Sequence, residues 1–338
     1  MRGRSCLAGR IGVWRRPGAA RERDNAATMA GRWTSERIPD QGGRTAIVTG
    51  ANSGLGLATA RELALHGARV VLACRDLEKG AAALAELQRA APAAQLELSE
   101  LDLASLASVE RFAQRFTAEH ERLDLLINNA GVMAPPRRET ADGFELQLGV
   151  NLLGPFALSG HLLPLMQGRE DARVVTLAST AHRMGRINFD DPQSLRRYNR
   201  WLAYGQSKLA DLMFALELDR RLRASGSAVK SLAAHPGYAA TNLQSAAAPA
   251  LDRAVMVLTN VLVAQSAAMG ALPTLYAATE PGLQGGSYVG PDGIGEFRGH
   301  PRLVSPSRAA RDERVAARLW ELAEELTGVG FGLAAAPR

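Results

Sequence analysis

At 338 residues and 46% apolar composition, the chain can bury one large α/β core, which excludes a wholly disordered protein. Two cysteines (Cys6 and Cys74) and six histidines without paired spacing give neither a disulfide framework nor a zinc motif, so no metal and a reducing, cytoplasmic setting are expected. The formal charge of +6 is local: residues 1–30 hold seven arginines against two acids, leaving the body near neutral and giving no basis for a nucleic-acid partner.

That arginine-rich lead, taken as 1–39, has no apolar core of signal-peptide type. A disordered tail, an upstream start before Met29 and a transit peptide all stay open. From about residue 40 onward, one domain is expected. Short β-branched runs alternate with stretches of helical period. The strand candidates are TAIVTG, RVVLAC, QLELSEL, LDLLINN, RVVTLAS and VKSLAAH. The intervening helices centre on RELALHG, 77–90, SVERFAQRF, GFELQLGVNLLGPFALSGHLL and LADLMFALELDRRL. A seventh strand at 285–290 closes the set, and a last helix ends at Gly328. This predicts a single Rossmann-type, doubly wound α/β domain with a mostly parallel seven-stranded sheet and helices on both faces. No stretch has the unbroken 18–20 apolar residues or so of a membrane span; the nearest, 254–272, is interrupted by Thr259, Asn260, Gln265 and Ser266.

TGANSGLG at 49–56 follows the first strand directly, with Gly50, Gly54 and Gly56 spaced for a tight turn under a pyrophosphate. The second strand ends LACRD. A carboxylate there suits the ribose hydroxyl of NAD, whereas an arginine suits the 2′-phosphate of NADP. With Cys74 at the strand end, Arg75 is assigned to the phosphate and Asp76 to capping the next helix, so NADP is favoured over NAD. In AYGQSKLAD, Tyr204 and Lys208 lie one helical turn apart. An ammonium about 4 Å from the phenol would favour the phenolate by a few kcal/mol at an effective dielectric near 20, bringing a pKa of about 10 toward working pH.

These pieces, with LDL at 101–103, NNAG at 128–131, VNLLG at 150–154, the serine of TLAST and PGYAAT at 236–241, resemble the classical short-chain dehydrogenase/reductase family, in particular its retinol dehydrogenase-like and actinobacterial members. The resemblance runs over about residues 40–300. It implies Tyr204 as general acid/base, Lys208 on the nicotinamide ribose, Ser179 on the substrate oxygen and Asn151 holding a relay water. It also implies cofactor contacts from Gly50, Asn52, Ser53, Gly54, Leu55, Gly56, Arg75, Asp102, Leu103, Asn129, Ala130, Gly131, Pro236, Gly237 and Thr241.

The gap from Ser179 to Tyr204 is 25 residues, longer than in compact members. Phe189, Tyr198 and Trp201 in this insert either line a lipophilic entry or belong to a surface loop held by Asp190, Asp191 and nearby arginines. Tyr198 has no lysine four residues on, so it is not the catalytic tyrosine. The substrate segments are placed at about 180–203 and 242–275, and the latter's small apolar residues suit a lipophilic alcohol, aldehyde or ketone. Reduction of a biosynthetic ketone or of a protochlorophyllide-like double bond, and an NADP(H) sensor without turnover, are the alternatives. Monomer and homo-oligomer both stay open.

Overall fold

The computed structural model describes residues 31–238 and 265–333. The chain divides into Met1–Trp33 and Thr34–Arg338, and the second unit holds the whole sheet. Its strands are β1 (Thr45–Thr49), β2 (Arg69–Cys74), β3 (Leu96–Glu100), β4 (Leu125–Asn128), β5 (Arg173–Leu177), β6 (Lys230–Ala234), β7 (Tyr288–Pro291) and β8 (Pro301–Leu303). They form one sheet in the order 3-2-1-4-5-6-7-8. All neighbouring pairs are parallel except β7 with β8. The seven expected strands are present. The eighth is a three-residue antiparallel edge, too short to carry a period-2 signal.

The principal helices are α1 (Gly54–Leu65), α2 (Leu77–Ala90), α3 (Leu106–Glu119), α4 (Gly154–Met166), α5 (Arg200–Ala224), α6 (Ala267–Thr279) and α7 (Glu313–Thr327). Helices α1 and α6 pack on each other over one face; α3 packs on α4, and α5 on α7, over the other. Strands β1, β4 and β5 are buried along their whole length, which explains why they read as continuous apolar runs rather than alternating ones. On the α4–α5 face, Phe156, Phe214, Trp320 and Phe331 form an aromatic cluster with ring centroids 4.6–6.3 Å apart. The last helix therefore closes the core rather than trailing from it. Gly328, at φ 69°, ends it in the left-handed conformation expected of such a stop.

The helix expected across 143–163 is interrupted. Leu146–Leu148 leads into a π turn at Gly149–Leu153 before α4 begins. The stretch Leu146–Met166 is long and apolar enough to cross a membrane by composition, yet 83% of its most apolar window is buried inside the protein, as a core helix requires. Of the 254–272 candidate, residues 254–264 lie outside the described residues and Ala267–Thr279 is the core helix α6.

Candidate active site

The carboxyl ends of β1, β2 and β4 open into a single cleft. Gly50, Asn52, Ser53, Gly54, Leu55 and Gly56 line it together with Arg75, Asp102, Leu103, Asn129, Ala130 and Gly131. These expected contacts come from four separate loops, and strand order 3-2-1-4 brings them together. At Gly56 any Cβ would collide with the Gly50 carbonyl and lie 2.6 Å from Asn129 Nδ2, so only glycine lets α1 start this close to β4. Ser53 makes no side-chain cap on α1, and no acid stands in the first turn. The first-turn N–H groups and the positive end of the helix are therefore left for an anion.

Thr49, which sequence reasoning passed over, ties the loops together. Its hydroxyl donates to the Ile127 carbonyl (3.2 Å) and accepts from the backbone N–H groups of Asn129 and Ala130 at 3.0 and 2.9 Å. The Asn129 amide donates to the Thr49 carbonyl at 2.7 Å. Asn128 points the other way, donating to Ser159 on α4 at 3.1 Å. Asp102 accepts from the Ala104 N–H at 2.9 Å, which shapes the turn after β3.

At the end of β2, burial pushes the Cys74 thiol up to about 11, against hydrogen bonds from the backbone of Ala51 and Asn52. Cys74 thus anchors the glycine loop as a neutral thiol. Asp76 caps α2 as expected: it accepts from the Lys79 N–H at 3.0 Å and pairs with the Lys79 ammonium at 2.7 Å. Those two bonds hold its carboxyl below the ordinary range. Lys79, a second residue missed in the sequence, lines the cleft beside Arg75.

A second cluster sits where β5 meets α5. Asn199 caps α5 by accepting from the Trp201 and Leu202 N–H groups, which sets Tyr204 one turn into the helix. Tyr204 is 7% exposed, and Trp201 meets its ring edge-on at 6.5 Å. Lys208 is buried, with Nζ donating to the Leu177 carbonyl (2.9 Å) and to Asp211 (2.8 Å). Burial works against its charge, but Asp211 and Tyr204 outweigh it and hold the ammonium above its usual pKa. Asn151, on the π turn, accepts from the Val132 N–H (2.8 Å) and donates to the Val132 carbonyl and to Ser207 Oγ (2.8 Å). The two clusters meet at Gly131, where an added Cβ would stand 3.1 Å from Asn151 Oδ1 and 3.6 Å from Lys208 Nζ.

Ser179 starts a 3-10 turn, Thr180–Met184, and its hydroxyl accepts from the Ala181 N–H at 3.2 Å. His182 steadies this turn from beneath, its Nδ1 2.7 Å from the Ser179 carbonyl and its Nε2 3.3 Å from the Ser307 N–H. These partners assign the proton to Nδ1. Burial keeps the ring neutral by lowering its pKa. At the end of the turn, Gly185 lies against the Gly205 carbonyl with no room for a Cβ, which seats the Ser179 segment on the turn of α5 that bears Tyr204.

After β6, Gly237 adopts φ 66° and faces the Phe297 carbonyl, again with no room for a Cβ. Pro236 accepts from the Gln265 amide at 2.6 Å. Thr241 and residues 242–264 of the expected substrate segment lie outside the described residues. The insert at 180–203 is tied down at several points. Tyr198 accepts from Gln147 (2.9 Å) and donates to the Pro135 carbonyl (3.0 Å), and burial followed by the Glu145 charge pushes it up to about 12. Asp191 accepts from the Leu195 and Arg196 N–H groups. Phe189 lies under the Arg318 guanidinium at 4.1 Å and lines a cavity with Leu202 and Gln206 that does not include Tyr204. Of the three insert aromatics, Trp201 alone makes a ring contact with Tyr204.

Residues 44–252 match the model of the short chain dehydrogenase family. Mouse retinol dehydrogenase 14 is 40% identical over 298 residues, covering 85% of this chain and 86% of that protein. Human retinol dehydrogenase 13 is 41% identical over 293 residues, with 85% of each chain covered. Among solved structures, an uncharacterized protein from Mycobacterium paratuberculosis shares 47% identity at a TM-score of 0.75, over 89% of this chain and all of that one. Pseudomonas aeruginosa RhlG, solved with NADP, shares the fold at a TM-score of 0.58 and 24% identity, over 74% of this chain and 94% of its own. With a glycine loop under an open helix end and a Tyr–Lys pair at the neighbouring strand ends, this chain belongs to the short-chain dehydrogenase family, the retinol dehydrogenase-like oxidoreductases that interconvert alcohols and carbonyls with a nicotinamide cofactor.

Proposed function

We propose that the chain is an NADP(H)-dependent reductase or dehydrogenase of a lipophilic alcohol–carbonyl pair, with Tyr204 as general acid/base. The observation that carries the cofactor choice is the state of the β2 end. The Asp76 carboxylate is engaged by Lys79, and two cations, Arg75 and Lys79, border the cleft. A 2′-phosphate meets positive charge there, whereas the carboxylate that would bind a free ribose hydroxyl is turned into a helix cap. The lipophilic substrate class is supported by the retinol dehydrogenases at about 40% identity.

When bound, the nicotinamide supplies or receives the hydride. Ser179 hydrogen-bonds the substrate oxygen and stabilises charge developing there. Tyr204 delivers its proton to that oxygen in reduction and takes it back in oxidation. Lys208, held between Leu177 and Asp211, lowers the cost of the phenolate. The Asn151 amide clamps Ser207 and the Val132 loop, and a second lone pair on Oδ1 remains for a relay water. Pro236, Gly237 and Thr241 complete the nicotinamide side.

Titration with NADPH and with NADH, followed by cofactor fluorescence in wild type and Arg75→Ala, tests the cofactor assignment. NADPH is expected to bind at least about tenfold tighter, with most of that preference lost in Arg75→Ala. A preference for NADH in wild type overturns it and returns Asp76 to the ribose.

A further inference from the structure

Helix α5 presents Tyr204, Ser207, Lys208 and Asp211 at i, i+3, i+4 and i+7, which is one face. The first three have places in the proposed proton-transfer machinery; Asp211 does not. It is 1% exposed, and its Oδ2 accepts from Lys208 at 2.8 Å. Its other oxygen, Oδ1, is buried without a hydrogen-bond partner among the described residues. Burying an ionised carboxylate with one oxygen unpaired is expensive, and a pair kept only for stability would be better replaced by apolar side chains. The Asp171 carboxylate at the opposite end of the sheet shows the contrast, with both oxygens held by Arg173 and Lys230.

Lys208 has three N–H donors. Leu177 and Asp211 take two, leaving one for the Tyr204 side of the helix face. Among the described residues, the titratable groups acting on this stripe are its own members, Tyr204, Lys208 and Asp211. The other elements packed against it offer neutral groups: the Leu177 carbonyl from β5 and Asn151, through Ser207, from the π turn. Burial pushes the Asp211 carboxyl up to about 6 against the pull of Lys208.

We propose that Asp211 is a positioning residue for proton transfer: it fixes the Lys208 ammonium against Leu177 and offsets part of that ammonium's field on Tyr204, thereby setting the pH at which Tyr204 exchanges its proton. The proposal rests on the reading of Tyr204 and Lys208 as the proton-transfer pair. Seven residues of helix separate Asp211 from Tyr204 by about 10 Å. At an effective dielectric near 20, one unit charge over that distance moves a pKa by about one unit.

The test is an ultraviolet titration of tyrosinate on the full chain with NADP⁺ bound, each protein subtracted against its own Tyr204→Phe counterpart so that Tyr204 alone is seen. Asp211→Asn keeps the size and an acceptor oxygen for Lys208 but removes the charge. Its Tyr204 midpoint is expected about one pH unit below wild type, and Asp211→Glu is expected to restore it. Asp211→Ser removes the same charge with a smaller side chain and carries the same expectation should asparagine impair folding. A midpoint that coincides with wild type in the neutral variants, or moves upward, overturns the proposal. Lys208→Met is expected to raise the midpoint; if it leaves it unmoved, the Tyr204–Lys208 pair itself is wrong and the role of Asp211 falls with it.

Discussion

The two ends of the sheet bury charge in different ways. At the amino ends, Arg173 is fully buried and forks onto Asp171 through Nε (3.1 Å) and Nη2 (2.7 Å), while Nη1 reaches the carbonyl of Ala277 (3.0 Å) and Nη2 that of Glu280 (2.9 Å). Lys230 closes the other side of Asp171, and Arg44 takes the Asp171 carbonyl. Burial alone would raise the Asp171 carboxyl, but Lys230 and Arg173 outweigh it and hold it below the ordinary range. At the carboxyl ends, Lys208 and Asp211 form a pair that leaves one carboxylate oxygen unpartnered. The amino-end network joins β5, β6 and α6 and gives both Asp171 carboxylate oxygens a partner. The carboxyl-end network leaves Asp211 Oδ1 without a partner among the described residues, one turn beyond Lys208 on the helix face that carries Tyr204. A closed network holds elements together; an open one leaves a group that can respond.

The sharpest way to separate these roles is to cut each network once. Tyr204→Phe is expected to lower turnover by about 10²–10⁴-fold, the usual worth of a general acid/base, with an unchanged denaturation midpoint. Arg173→Met should do the reverse. Asp171 is partly exposed and keeps Lys230, so the cost is that of the Ala277 carbonyl losing its buried donor, about 1–3 kcal/mol in chemical denaturation, while the folded fraction keeps the wild-type Michaelis constant for NADPH. An Arg173→Met protein of normal stability but lost turnover would erase the distinction between the two ends.

Glu296 asks whether closure follows location or role. It lies near the carboxyl ends, yet its network is closed: Oε2 is 3.1 Å from buried His235, and Arg183 binds the same carboxylate at 3.1 Å. The hydrogen bond to His235, followed by that charge and Arg183, holds Glu296 down to about 2. A depressed carboxyl contributes stability above its unfolded pKa, and that contribution is lost as pH falls through the folded value. A fall of about 3 kcal/mol between roughly pH 5 and pH 2 is expected from this group. Glu296→Gln should flatten that part of the stability–pH curve. An unchanged slope in the variant would show that the contacts of Glu296 with His235 and Arg183 do not stabilise the fold.

The parts of the site that could be read in advance are those carried by contiguous residues. TGANSGLG, NNAG and YGQSK each place their groups within one loop or one helical turn, so spacing alone fixes their geometry. What escaped depends on distance or on exceptions to local rules. The π turn at Gly149–Leu153 looks apolar and helical in sequence, and nothing local marks the inserted residue that aims Asn151 at Ser207. Thr49 acts through β4, 78–81 residues away. The strand β8 is three residues long and follows a glycine-rich loop, too short for a periodic signal. Phe189 and Tyr198 were legible as aromatics of the insert but not as anchors, because their partners Arg318, Gln147 and Pro135 lie on other segments. Asp211 did leave a trace: an acid inside LADLMFAL breaks an apolar run three residues after Lys208. A lone buried charge there demands a partner, and Lys208 sits within reach.

The smallest expected effect concerns the other missed residue and tests the adenosine end of the same contrast. Lys79 is 72% exposed and paired with Asp76, so its charge is largely screened by water. Lys79→Met should weaken NADPH binding by no more than about fivefold, the worth of an exposed ion pair, and leave NADH binding unchanged. Because the contact is exposed, the difference should shrink as ionic strength rises from about 0.01 M to 1 M and the screening length falls. Arg75→Ala should instead keep most of its effect at high salt, since a planar fork holds phosphate by directed hydrogen bonds as well as charge. If the two variants respond to salt alike, Arg75 acts as a point charge like Lys79, and the 2′-phosphate is held by the general field of the α2 start rather than by a built site.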